Sequence, residues 1–256
     1  MIREIHDASQ IRPLLCRDRI ANLFFINDLD EMGTGSVRVY QTDGFLALNY
    51  RNDGLCVYAY DSYDMNEVTG FLKRQKFKTL MGGGDTVRPL LPYFPGSSVL
   101  ERKMLVLTGD SFRPALNEEY ETSFFSDRDS IIQMLRLWES RREFNFVFSG
   151  DDDASEYAGR SHVFYAGSFS GGTLVSSAVL SAVANRSAMV TGVATRKEME
   201  NRGYAKHTLS WLAEKAFSEL DLDYLALWHS TEKALAVYSS LGFRPSCEYI
   251  SVTLIS

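Results

Sequence analysis

A chain of 256 residues suffices for one large domain or two ordinary ones, each burying its own core. Its 45% hydrophobic and 23% charged fractions are those of a globular protein, and a net charge of −6 argues against general polyanion binding. Cys16, Cys56 and Cys247 are widely spaced and form no metal-like or redox pair, no apolar run reaches membrane-spanning length, and the first residues lack a signal-peptide core. The expectation is a cytoplasmic protein with reduced cysteines, no metal, and neither a nucleic-acid nor a membrane partner.

The first hundred residues carry no chemical motif, but their elements follow an informative order. Residues 2–5 suggest a short strand, Asp7 or Ser9 a cap for a helix reaching Leu15, and 22–29 a second helix. Three strands follow at 37–40, 44–50 and 55–60, with Asp43-Gly44 and Asp53-Gly54 as the turns between them. A helix over 64–75, a strand ending near Met81, a helix over 86–93 and a strand over 99–107 complete this half. The run Gly82-Gly83-Gly84 lacks the Lys-Ser/Thr of a nucleotide-binding loop and reads as a tight turn.

Pro114 and its polar neighbours make 109–119 the expected boundary. Beyond it come a strand at 120–125 and a helix capped by Asp127 or Asp129, with Ile131, Leu135 and Trp138 on its apolar side. Residues 139–160 are the least regular stretch. Phe144, Phe146 and Phe148 suit core packing first and a pocket wall second, and Asp151 to Asp153 read as a solvated loop. A hairpin, 162–168 and 173–183 through Gly171-Gly172, feeds a β-branched strand over 187–195. An amphipathic helix over 206–220, a strand over 224–229, a helical segment over 231–243 and a closing strand over 248–255 finish the chain.

The turn between the 187–195 strand and the next helix carries the strongest chemistry. A helix beginning near Gly203 presents unpaired N–H groups and a positive dipole end, which suits a pyrophosphate. Gly203 is expected to let backbone approach closely, Ala205 keeps the first turn slim, and Arg196, Lys197, Arg202 and Lys206 add positive charge.

This segment resembles the acyl-coenzyme A loop of the GNAT superfamily of N-acetyltransferases, Gln/Arg-x-x-Gly-x-Gly/Ala, with Gly203 and Ala205 at its last two positions. Glu200 stands where the family has Arg or Gln, and a carboxylate there is expected to repel the pyrophosphate. A second stretch, from Thr231 through Ala234, Tyr238, Leu241 and Gly242 to Phe243, resembles the family's Asn-x-x-Ala-x-x-x-Tyr-x-x-Leu-Gly-Phe, with Thr231 in place of Asn.

The resemblance implies a mixed α/β fold with a mostly antiparallel central sheet flanked by helices. It implies acetyl-coenzyme A as acyl donor and a small-molecule or peptide primary amine as acceptor, on a monomer or homodimer. Val193, Ala194 and Thr195 would meet the pantetheine arm. Glu200, Asn201, Arg202, Gly203, Tyr204 and Ala205 would surround the pyrophosphate, with Thr231 nearby, and Tyr238 would protonate the departing thiolate. By element order, residues 1–110 are expected to form a degenerate GNAT-like half and 111–256 the acetyltransferase half. Glu139, Glu143, His162 and His229 are candidate general bases, while His207 is expected at the surface or in packing, and Trp211 and Trp228 in the core. A sensor or dimerisation module that has lost turnover is the competing class, motivated by Glu200 and Thr231.

Overall fold

In the computed structural model, which describes residues 2–31, 35–144, 146–229 and 231–255, contacts divide the chain into two units. The first contains residues up to Met104 together with Pro245 onward; the second is Leu105–Arg244. In chain order the first half supplies β1 (Arg3–Ile5), α1 (Arg12–Leu15), α2 (Leu23–Asp28), β2 (Val37–Thr42), β3 (Phe45–Tyr50), β4 (Gly54–Ala59), α3 (Met65–Leu72), β5 (Thr79–Gly83), α4 (Gly84–Val87) and β6 (Ser98–Thr108). There follow β7 (Glu121–Phe125), α5 (Arg128–Glu139), α6 (Asp151–Ala158), β8 (Phe164–Ser170), β9 (Thr173–Ala184), β10 (Ser187–Thr195), α7 (Tyr204–Ser218), β11 (Tyr224–Trp228), α8 (Glu232–Leu241) and β12 (Arg244–Thr253). The architecture is mixed α/β with mostly antiparallel strands.

In the first unit β1 to β4 form an antiparallel meander, β5 joins β4 in parallel, and β12 pairs antiparallel with β5. In the second unit β7 to β10 repeat the meander, β11 joins β10 in parallel, and the end of β6 lies beside β11. Each unit therefore takes in strand residues from the other half of the sequence. The expected partition, 1–110 and 111–256, put the last strand with the second half, whereas by contacts residues 245–256 go with the first unit.

Two turns differ from expectation for local reasons. Arg51 and Asn52 take the left-handed conformation in the β3–β4 turn, supported by the Asn52 N–H donating to Asn49 Oδ1 at 3.0 Å, so Gly54 is free to open β4. The triple glycine is not a turn. Gly82 and Gly83 lie in β5, where a Cβ on Gly82 would come within 2.4 Å of the Val57 carbonyl oxygen, and Gly84 begins α4. These glycines permit close parallel pairing.

The second unit carries helices on both faces of its sheet. Leu209, Leu212 and Ala216 of α7 and Leu241 of α8 pack with Leu225, Leu227 and Val190 on one side. On the other, Ile131, Met134, Leu135 and Trp138 of α5 pack with Leu174, Val179 and Ala194. The stretch expected to be irregular contains α6, whose first turn holds Asp151, Asp152 and Asp153, where carboxylates complement the positive helix end. Among the described residues, no helix is long and apolar enough to cross a membrane.

Candidate active site

Nine residues make up β10, yet only Ser187, Ala188 and Met189 have partners on β11. The register with β9 also slips between Thr191 and Ala194. Gly192 sits in the gap with φ +61°, and a Cβ there would come within 2.4 Å of Trp138 Cζ2. Trp138 Nε1 donates to Ser177 Oγ at 3.2 Å and to the Gly192 carbonyl at 3.3 Å, while Ser177 Oγ donates to the same carbonyl at 2.8 Å. A tryptophan thus pins a β-bulge. The parallel pair opens beyond it, leaving one edge of Val193, Ala194 and Thr195 without a β11 partner among the described residues.

The turn leaving β10 is held by side chains. Arg196 Nε donates to the Leu174 carbonyl at 2.6 Å, Asn201 adopts φ +61°, and Gly203 caps α7 at φ +91° with no side-chain hydrogen bond to the helix. A Cβ on Gly203 would meet only Tyr120 Oη, at 3.9 Å. The left-handed backbone at this position is what requires glycine. Asn201, Arg202 and Gly203 are exposed, and Tyr204, Ala205 and Lys206 half-buried.

Tyr120 clamps this turn from the other side. Its hydroxyl donates to the Arg202 carbonyl, its ring stacks on Tyr204 at 4.1 Å, and its face meets the edge-on ring of His207 at 5.1 Å. His207 is buried, at 4% exposure, which corrects the surface alternative. Its Nδ1 accepts from the Asn117 N–H at 2.9 Å, so a neutral ring carries its proton on Nε2, 2.9 Å from Thr122 Oγ1. From Thr122 the chain continues to Ser168 at 2.8 Å, to Thr208 at 2.6 Å, and to the Tyr204 carbonyl at 2.8 Å. Burial lowers the His207 pKa, in keeping with the neutral ring. A fully satisfied polar chain fixes the first turn of α7.

Glu200 does not stand as a free repelling charge. Its Oε1 lies 2.5 Å from Arg141 Nη1 and its Oε2 3.2 Å from Lys233 Nζ, and these partners, Arg141 first, lower its pKa. Arg141 also pairs with Glu143 at 3.0 Å and donates to the Thr195 carbonyl at 3.3 Å. The expected repulsion is thus offset locally, and the carboxylate ties the turn to α8 and to the residue following α5.

Thr231 caps α8, its hydroxyl accepting from the Ala234 N–H at 3.1 Å. Tyr238 is buried against Phe243, with ring centroids 5.9 Å apart, and desolvation raises its pKa to about 12. It therefore remains a proton donor at neutral pH. Gly242 ends α8 at φ +102°, where a Cβ would collide with the Ser111 carbonyl oxygen at 1.9 Å.

A cavity of about 310 Å³ lies against the bulge, with Thr191 and Gly192 on one wall and Trp138, Phe144, Phe146 and Tyr157 opposite. None of the four candidate bases lines it. Glu139 accepts from the Phe148 N–H at 3.1 Å, Glu143 is paired with Arg141, and exposed His162 adopts φ +57°. His229 follows β11, with its Nδ1 buried and unpartnered among the described residues. Trp211 packs edge-on against Phe124 at 4.9 Å, as a core residue would. Tyr120, Arg141 and the Trp138–Gly192 contact were not legible as site features, since each joins segments distant in sequence.

The site therefore consists of an opened parallel pair followed by a glycine-capped helix. The acetyltransferase (GNAT) family model matches residues 116–243, half of the chain, and the chain belongs to that family. Among solved structures, a GCN5-related N-acetyltransferase from Kribbella flavida is 13% identical with a TM-score of 0.69, covering 91% of this chain and 95% of its own. A Drosophila protein is 12% identical at TM-score 0.69, covering 99% and 98%. A GCN5-related N-acetyltransferase from Sphaerobacter thermophilus is 13% identical at 0.59, covering 98% and 94%. At these identities the likeness is one of fold. A comparison with curated proteins returns no match.

Proposed function

We propose that the second unit is an acyl-coenzyme A-dependent N-acyltransferase that moves an acetyl group from acetyl-coenzyme A to the primary amine of a small molecule. The observation that carries this reading is the open end of the β10–β11 pair set directly before the N-terminus of α7, whose glycine cap offers it no side-chain acceptor. Backbone N–H groups at Gly203, Tyr204 and Ala205, with Asn201 and Arg202, receive the pyrophosphate. The free edge of Val193, Ala194 and Thr195 receives the pantetheine arm as an added strand would be received. Glu200 holds the turn in place through Arg141 and Lys233, and Thr231 keeps α8 aligned so that Tyr238 faces the leaving sulfur.

The thioester supplies an activated acyl carbon. The acceptor nitrogen bonds to it, the C–S bond breaks, the thiolate takes the Tyr238 hydroxyl proton, and the proton displaced from nitrogen leaves to solvent. The first unit, with the same element succession, is read as a degenerate copy with no donor site.

The test is release of free thiol from acetyl-coenzyme A across a panel of primary amines, comparing the protein with Tyr238→Phe. Amine-dependent release that falls in the variant supports transfer. Tight donor binding with no release on any amine contradicts it and supports a sensor.

A further inference from the structure

The cavity against the bulge constrains what the acceptor is. Its volume of about 310 Å³ corresponds to roughly ten waters at liquid density, room for a group the size of one substituted ring. The walls are shaped for such a body. Trp138 and Phe144 stack with planes 4° apart, and Phe146 and Tyr157 present edges to Trp138 at 86° and 69°. Flat aromatic surfaces at these angles favour a planar guest.

Charge narrows the class further. Among the described residues Arg160 is the one charged residue lining the cavity, and the carboxylate paired with it, Glu156, lies outside that lining. Its guanidinium lies 3.8 Å over the Tyr157 ring, and one terminal nitrogen pairs with Glu156 at 2.7 Å. Its other nitrogens make no protein hydrogen bond among the described residues. At the strand wall the polar groups are hydroxyls, Ser181 Oγ on β9 and Thr191 Oγ1 on β10, 3.3 Å apart. An ammonium ion entering here would lose water and meet a guanidinium in the lining, while the nearby carboxylate, exposed Glu156, lies outside the lining and is already paired with Arg160. A neutral amine would not suffer that cost, and an anionic group would find the guanidinium.

We propose that this cavity binds the acyl acceptor and that the acceptor is a small aromatic amine bearing a carboxylate, its amine toward Thr191 and its carboxylate toward Arg160. The proposal rests on the transfer reading above, but the ligand class is testable apart from it. An arylamine is already neutral at pH 7, which explains a lining with neither carboxylate nor histidine to take a proton.

The experiment is calorimetric titration of the full-length protein with 4-aminobenzoate, its uncharged counterpart 4-aminobenzamide, and cationic benzylamine, with acetyl-coenzyme A titrated separately. The expected result is that 4-aminobenzoate binds at least about tenfold tighter than either comparator. Arg160→Gln brings the benzoate-to-benzamide ratio close to one while leaving acetyl-coenzyme A affinity unchanged, and Arg160→Lys restores part of it. An unchanged melting temperature shows that the variant is folded. Preferential benzylamine binding, a ratio insensitive to Arg160→Gln, or no binding of any ring compound by protein that still binds acetyl-coenzyme A would overturn the proposal. Selective 4-aminobenzoate binding without acetyl-coenzyme A binding would uphold the ligand class and defeat the transferase reading instead.

Discussion

α3 and α7 occupy equivalent places in the two units, each connecting a strand to its parallel neighbour, yet they begin in opposite ways. The N-terminus of α3 is occupied by its own chain: the Asp64 carboxylate accepts from the Asn66 and Glu67 N–H groups at 2.8 and 3.1 Å. That of α7 is capped by Gly203, which supplies no acceptor. The strands before them differ in parallel. β4 pairs with β5 through four of its six residues, whereas β10 leaves β11 after three of its nine. One framework is closed at its helix by a carboxylate; the other is held open by a glycine cap and a bulge. The lesson is that the same succession of elements can leave a helix N-terminus satisfied by its own chain or available to a ligand.

The comparison can be broken most severely at the glycine. Gly203→Asp places a strained backbone and a carboxylate before α7, imitating α3, and acetyl-coenzyme A affinity measured by calorimetry is expected to fall by at least about 100-fold. Tyr238→Phe leaves affinity intact and slows single-turnover transfer by about 100-fold or more, because the proton for the thiolate is lost. With its pKa at about 12, Tyr238 stays protonated throughout pH 6–9, so its contribution is expected to be flat over that range.

Gly192→Ala forces a methyl into Trp138 and should lower stability by about 1–3 kcal/mol in denaturant titration, with loss of ring-compound binding. In the closed unit the effects are smaller. Asp64→Ala is expected to lower the melting temperature by about 2–4 °C and leave acetyl-coenzyme A affinity untouched. The polar chain beneath α7 predicts a pH dependence as well. The folded pKa of His207 is lowered by burial, so its stabilising contribution is complete above the unfolded value of about 6.5 and is lost as pH falls below it. Thermal melts between pH 7.5 and 5 should show this fall, and it should be shallower in His207→Gln.

Much of this architecture is legible from local pattern. The meanders follow from β-branched and aromatic runs between turn residues, and the Asp7 and Asp127 caps, each one of two candidates in the sequence, were readable because a cap depends on neighbours two or three positions away. Gly203, Gly242 and Tyr238 were readable through motif spacing. Long-range closure was not. Nothing near Trp138 indicates that it braces Gly192, 54 residues on, or near Arg141 that it neutralises Glu200, 59 residues on. The assignment of β12 to the first unit depends on pairing with β5, which no local signal encodes. Gly82 was misread because glycine in a turn and glycine under a crossing carbonyl look alike in sequence.

The central claim is that α7 has an open anion site where α3 has a filled one, and calorimetric titration with acetyl-coenzyme A tests it directly. The account predicts one site per chain with micromolar affinity, abolished by Gly203→Asp and indifferent to Asp64→Ala. No heat of binding, or binding that survives Gly203→Asp, would contradict it.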